Sequence, residues 1–301
     1  SNFILKLNLR SGGGNMAGVP ELPEVEVLAR HLARVLPGRT IRSVEVRRAR
    51  VARPTPEAEL QAVLAGATFQ TITRRAKYLV FTLRRRGREG AATLVGHLGM
   101  TGRMYLQRAR APLARHAAVV LRLGKEDFVF EDTRYFGRLT LDDSVLGALG
   151  PEPLSDAFSV EAFAAALGRS SQAIKVRLLD QSLVAGVGNI YACEALFRAG
   201  VSPRRAAKRL TAAQVRALRD AIREVLEEAI ACGSTIPLDW PGSGRRDGLF
   251  YYGTAPEASE FYEERLRVYD REDQPCVACE TPVRRMVQAA RSTFFCPKCQ
   301  R

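Results

Sequence analysis

Two Cys-x-x-Cys pairs close the chain, Cys276 with Cys279 and Cys296 with Cys299, with sixteen residues between them. Thiolates at this spacing aim their sulfurs at one point, and two such turns form the tetrahedral cage of one structural zinc ion. The stretch between, "PVRRMVQAARSTFF", folds back as a hairpin and carries Arg291 at its tip. A rigidly held guanidinium suits a DNA groove or a phosphate, and the plainer alternative is an exposed turn residue. A pair of disulfides is the rival for the thiols, and a cytosolic setting disfavours it. Four thiolate ligands leave no open metal position, so this ion holds structure and does not catalyse. Cys193 and Cys232 fall on apolar helix faces and read as small core residues.

The rest of the 301 residues is long enough for two or three domains. No apolar run approaches the roughly 20 residues of a membrane span. Residues 1–15, "SNFILKLNLRSGGGN", lack the apolar centre of a signal peptide. A cytoplasmic protein without a membrane partner is expected, and a monomer. Residues 22–36 carry an apolar stripe at Val25, Leu28, Leu32 and Val35, with Pro23 in the first turn, so a helix is predicted there. From 40 to about 145 the pattern turns to strands, as in "KYLVFTLR", "HAAVVLRL" and "DFVFED", which predicts a β-sandwich or barrel. "GPEPLSD" at 150–156 reads as a linker, and helical patterns follow. The clearest covers 212–232, opened by a capping box of Thr211 with Gln214 and stopped by Gly233. The loop from 233 to about 260 is too long for a mere connection.

The net charge of +14 gathers in clusters, Arg42, Arg47, Arg48, Arg50 and Arg53 being one. A solvated arginine surface explains that, and so does a polyanionic partner whose phosphates release counterions on binding. "GVGN" places Gly186 and Gly188 in a tight turn, with Asn189 positioned to cap the next helix. Unpaired N–H groups at such a helix start welcome phosphate, and Lys175 on the preceding helix can reach the same strand. A plain helix hairpin is the alternative. The three histidines, His31, His97 and His116, lie apart and beside no nucleophile, and no dinucleotide or ATP fingerprint is present.

"PELPEVE" at the front, "GVGNIYA" in the middle and "QAARSTFFC" in the cysteine hairpin occur together with "RRAKYL", "HLGMTG", "DTRYFG" and "LGPEPLSDAF". In these motifs the chain resembles the formamidopyrimidine-DNA glycosylase and endonuclease VIII family from Pro20 to Arg301. The resemblance implies an α+β multidomain protein. Residues 1–19 are an extension, 20–150 a catalytic β-sandwich with an N-terminal helix, 151–265 a helix-two-turn-helix domain with a lesion-capping loop, and 266–301 a zinc finger. It further implies base-excision repair of damaged double-stranded DNA. Pro20 would attack C1′ as a secondary amine, Glu21 would act as general acid/base, Glu24 would support it, and Lys77 would stabilise negative charge. Lys175, Asn189 and Arg291 match phosphate contacts, and His116 matches a further one. Met100, Arg134 and Phe136 match the wedge that fills the gap left by an extruded base, and they resemble the branch acting on oxidised purines such as formamidopyrimidines and 8-oxoguanine.

Three departures stand out. With Val19 attached, the Pro20 nitrogen is a tertiary amide whose lone pair is delocalised, so it cannot form an iminium. The expectation is that the first nineteen residues are absent from the active chain. A GTG start codon read as Val19 would give Met-Pro and, after Met removal, a free Pro20. Initiation at Met16 would leave "AGV" in the way, and an inactive damaged-DNA-binding paralogue is the alternative. Tyr135 stands where the family commonly has a second arginine, and it either stacks on a base or packs. Trp240, Phe250, Tyr251 and Tyr252 interleave with Arg245 and Arg246 in the long loop, a pattern for base stacking or for packing.

Overall fold

A computed structural model describes residues 20–85, 87, 90–231 and 266–301. The front extension, Cys232 and the aromatic loop lie outside the described residues. The first helix, α1, is Leu22–Val35, with proline in its first turn. Eight strands follow, namely β1 Ser43–Val46, β2 Thr68–Arg75, β3 Tyr78–Arg84, β4 Ala91–His97, β5 Gly102–Arg108, β6 Ala117–Arg122, β7 Glu126–Asp132 and β8 Arg138–Thr140. They form two four-stranded antiparallel sheets, ordered β1-β6-β7-β5 and β2-β3-β4-β8. Both sheets line one core, where Phe69, Phe81 and Phe128 meet edge to face at centroid distances of 5.9 to 6.2 Å. Burying each such ring is worth roughly 1.5–3 kcal/mol. The expected sandwich is therefore present.

The run of strands is interrupted by helices not expected there: α2 Ala49–Ala52 and α3 Glu57–Leu64 lie between β1 and β2. Leu60 and Leu64, four apart, bury one face of α3, while Pro56 and two first-turn acidic residues favour its start. A short α4, Ser144–Gly147, precedes the linker.

The helical part comprises α5 Val160–Gly168, α6 Ile174–Leu178, α7 Asn189–Arg198 and α8 Ala212–Ala231. The predicted capping box opens α8: Gln214 N–H donates to Thr211 Oγ1 at 3.3 Å, and Thr211 N–H to Gln214 Oε1 at 3.1 Å. The helix α1 joins the two bodies, because Leu22 enters the helical core while Val25, Leu28 and Leu32 enter the sandwich core. Glu152 in the linker makes a second join. Its carboxylate accepts from Ala76 N–H at 2.6 Å and pairs with Arg74 and Arg75 at 2.8 and 2.9 Å.

The chain ends in a hairpin of β9 Arg284–Gln288 and β10 Arg291–Phe295. Ala289 and Ala290 turn it with φ of 47° and 58°, the left-handed pair that matches strand twist in a two-residue hairpin. Cys193 and Phe197 of α7 pack with Val283 and Phe294 of this module, so Cys193 is indeed a core residue. Among the described residues no helix is long and apolar enough to cross a membrane.

Candidate active site

The motif "GVGN" does something other than wait for phosphate. Gly188, not Asn189, is the residue before α7, and three N–H groups of the helix start are already taken. The Glu21 carboxylate accepts from Gly188 N–H at 2.7 Å, Ile190 N–H at 2.8 Å and Tyr191 N–H at 3.4 Å. A helix N-terminus favours any anion, and a side chain tethered on α1 outcompetes a dissolved one. The two glycines are what let α1 come so close. A Cβ at Gly188 would run into the Glu21 carboxylate, and one at Gly186, whose φ is +87°, would strike Leu22.

This arrangement sets the electrostatics. Glu21 is 2% exposed, and burial pushes its carboxyl above the ordinary value, against the opposing pull of the Lys77 charge and the three amides. Each charge-assisted hydrogen bond contributes about 1.5–3 kcal/mol, which offsets a desolvation cost of several kcal/mol. Glu24, one turn on, accepts from Glu21 N–H at 2.8 Å and from the Tyr191 hydroxyl at 2.8 Å. Burial and the neighbouring Glu21 charge push it up to about 7. Two carboxyl groups thus sit side by side in a dry site, both easier to protonate than in water, which is the condition for acid/base work near neutral pH.

Lys77 lies in the β2–β3 turn, which Ala76 enters with φ of 53°. Burial lowers its ammonium pKa, Glu21 and Glu24 counter that, and Arg291 on the zinc hairpin lowers it further. Lys175 is fully buried, its ammonium 2.6 Å from Asn189 Oδ1 and 3.4 Å from Thr293 Oγ1. Asn189 in turn donates to Ser292 O at 2.9 Å. Lys175 therefore braces Asn189 and the hairpin from beneath, while Arg291 stays exposed at the hairpin tip.

The second group of candidates lies at one end of the sandwich. The turn holding Met100 joins β4 to β5, and the loop holding Arg134 and Phe136 joins β7 to β8. A Cβ at Gly99, whose φ is +64°, would meet the backbone of Phe136 and Gly137, so the two loops lie backbone to backbone. Buried Asp132 wires them together, accepting from Thr101 Oγ1 at 2.5 Å, Arg134 N–H at 3.1 Å and Gly137 N–H at 2.7 Å. Phe136 stands 43% exposed, a large apolar ring in water with the Arg134 guanidinium 4.9 Å from its centroid. His116 shares a hydrogen bond with the Tyr135 hydroxyl at 3.1 Å.

Some participants are absent from the sequence-based candidates. His97 accepts from Gly99 N–H through Nδ1 at 3.0 Å, and its ring lies 4.8 Å from that of Tyr78 at a tilt of 45°, linking the Met100 turn to the Lys77 side. Burial and the Lys77 charge push it down to about 4, so it is neutral at pH 7. Glu194, also buried, accepts from the amides of Arg267, Val268 and Tyr269 at 2.8, 3.0 and 2.8 Å, and so anchors the zinc module to α7.

The four cysteine sulfurs lie within 4.8 Å of one another. The separations of 3.4, 3.5 and 3.9 Å between facing sulfurs bracket the about 3.8 Å edge of a tetrahedron with metal–sulfur bonds near 2.3 Å. The set holds one structural zinc ion.

A sandwich, a helix pair whose second member is capped by a glutamate, a four-cysteine finger and one buried carboxylate pair define a class: zinc-finger proteins of the helix-two-turn-helix type. Three family profiles match in order. They are the formamidopyrimidine-DNA glycosylase N-terminal domain over residues 19–139, its H2TH domain over 149–238, and the zinc finger found in FPG and IleRS over 273–301. The formamidopyrimidine-DNA glycosylases of Paracoccus denitrificans and Thiobacillus denitrificans are 43% and 42% identical, each aligned over its whole length with 94% of this chain. Among solved structures, a point mutant of Lactococcus lactis FPG in complex with Fapy-dG DNA superposes with a TM-score of 0.83 at 32% identity. That match covers 94% of this chain and all of the other. The same organism's enzyme bound non-covalently to AP-site DNA gives a TM-score of 0.80, with the same identity and coverage. The chain belongs to the formamidopyrimidine-DNA glycosylase family.

Proposed function

We propose that this protein excises oxidised purines from double-stranded DNA and cuts the strand at the resulting site, in a form whose first residue is Pro20. The observation that carries this is the Glu21 carboxylate locked on the α7 amides, which fixes the residue adjoining Pro20 within electrostatic reach of Lys77. The Pro20 amine would attack C1′ of the flipped nucleoside, the glycosidic bond would break, and the base would leave with a proton. The adduct's ammonium would then lose its proton, and the nitrogen lone pair would open the C1′–O4′ bond as Glu21 gives O4′ a proton, leaving a ring-opened iminium. The iminium acidifies C2′–H, so loss of that proton expels the 3′ phosphate, and a second elimination expels the 5′ phosphate. Glu21, with its raised pKa, suits giving and taking the protons. Lys77, Asn189 and Arg291 supply positive charge or donors for the phosphates flanking the lesion, with Lys175 supporting Asn189. Met100, Arg134 and Phe136 fill the gap, offsetting part of the few kcal/mol that base flipping costs. His116 adds a contact beside them. That the described relatives act on or were solved with lesion DNA supports this.

A duplex with one 8-oxoguanine tests it. Incision should leave phosphates on both sides of a one-nucleoside gap, and an undamaged duplex should stay whole. Tight lesion binding with no nick by a chain starting at Pro20 would favour the inactive paralogue instead.

The zinc ion carries a separate expectation. Stripping it with a chelator, or replacing Cys296 by Ser, should free the hairpin and Arg291. Metal-site energy is folding energy in so small a module, so the 276–299 segment should become open to protease. Lesion-duplex affinity should fall by about 10- to 100-fold. Fluorescence anisotropy with and without added zinc measures it, and unchanged affinity in the zinc-free protein would remove the hairpin from the DNA interface.

A further inference from the structure

Tyr135 sits at the bend of the wedge loop with φ of +53°, a backbone state uncommon for a ring-bearing residue. Three contacts hold it there. Its ring packs on the sandwich core, its hydroxyl meets His116 Nδ1 at 3.1 Å, and the Arg48 guanidinium lies 5.4 Å from its centroid. Next to it, the Arg50 guanidinium lies 5.6 Å from the Phe136 centroid, on the ring that Arg134 also covers. Arg48 and Arg50 are exposed and, among the described residues, neither forms an ion pair, whereas nearby Arg47 pairs with Glu45 at 3.1 Å. Arg48 Nη1 donates to Arg47 O at 2.9 Å, and a guanidinium has five N–H donors, so a cation resting on an aromatic face still has donors left for a second partner. The lesion-strand phosphates are already served by Lys77, Asn189 and Arg291 at the α7 end. Arg48 and Arg50 lie instead on the rings of the β7–β8 loop, where, with Phe136 as the wedge, the strand opposite the lesion would pass.

We propose that Arg48, seated on the Tyr135 ring, contacts a backbone phosphate of the undamaged strand, and that Tyr135 acts through it as a positioning residue. This rests on Phe136 being the wedge, so the test carries a Phe136 arm.

The probe is a duplex with a tetrahydrofuran abasic analogue, compared with its lesion strand alone, titrated with zinc-loaded protein at four salt concentrations. Arg48→Ala should weaken duplex binding by about three- to tenfold and take about 0.9 off the slope of log affinity against log salt, the signature of one lost phosphate contact. Binding of the single strand should not change. Tyr135→Leu should reproduce the Arg48→Ala loss, and the double variant should lose no more than either, because the two side chains act as one unit. Tyr135→Phe keeps the platform and should stay within about twofold of the parent. An unchanged slope in Arg48→Ala, with binding weakened in Phe136→Ala, overturns the proposal and leaves the wedge intact. Additive losses, or a Tyr135→Leu loss well beyond that of Arg48→Ala, overturn the positioning role. Unchanged binding in Phe136→Ala overturns the wedge assignment and this proposal with it.

Discussion

Glu21→Gln should slow base release by about 10²- to 10⁴-fold, the usual worth of a positioned acid/base group, while lesion-duplex affinity stays within about threefold. The two effects separate because affinity for duplex DNA comes chiefly from cations on phosphates, whereas Glu21, though within electrostatic reach of Lys77, is buried and spends its oxygens on the α7 amides. The substitution also has a structural consequence. A glutamine oxygen can accept from one or two of the Gly188, Ile190 and Tyr191 amides, but its NH2 group brings donors to a helix start that already has too many. Losing one charge-assisted bond costs about 1.5–3 kcal/mol, so the variant should melt earlier yet remain folded. A thermal melt beside a single-turnover assay distinguishes lost chemistry from lost structure. A Glu21→Gln protein that is folded, binds lesion DNA and still releases base at the parental rate would take the carboxylate out of the reaction.

The second large effect concerns Pro20, where the difference is one of kind. A proline nitrogen in a peptide bond has its lone pair in the amide resonance and no proton to lose, so attack on C1′ would give a quaternary acylammonium with no path to an iminium. A chain that retains Val19 should form no reducible covalent complex with abasic DNA, and one beginning at Pro20 should trap efficiently. In the proposed reaction Glu21, Glu24 and Lys77 would move protons and steady charge around the Pro20 amine, and none of them would replace it. The profile of the family's N-terminal domain begins at residue 19, and relatives aligned over their full length cover 94% of the chain.

Much of this was legible from residue patterns because the signals were local. The cysteine spacing, the α1 stripe and the Thr211–Gln214 box each depend on residues a few positions apart. The short helix α3 was hidden because eight residues give only two buried leucines, Leu60 and Leu64, and a strand-rich neighbourhood on both sides. The role of "GVGN" was hidden for a deeper reason. Its partner, Glu21, lies 167 residues earlier, and a helix start that binds a side chain looks in sequence like one that binds phosphate. Glu194 left a clue that went unused. It stands within a run of eight buried residues, Ile190–Phe197, where a carboxylate must find donors, and it finds them in the backbone entering the zinc module. His97 could not be told from a packed histidine without the fold that brings it beside Lys77.

The most direct test joins mass analysis to chemistry. Protein isolated from its native cells, and a second sample carrying the whole chain from Ser1, are each incubated with an abasic-site duplex and sodium borohydride, and the N-terminal residue of every cross-linked species is read by mass spectrometry. Only chains that start at Pro20 should carry DNA, attached at that residue. A DNA-linked peptide in which Val19 still precedes Pro20, with the bond on the ring nitrogen, would contradict the account.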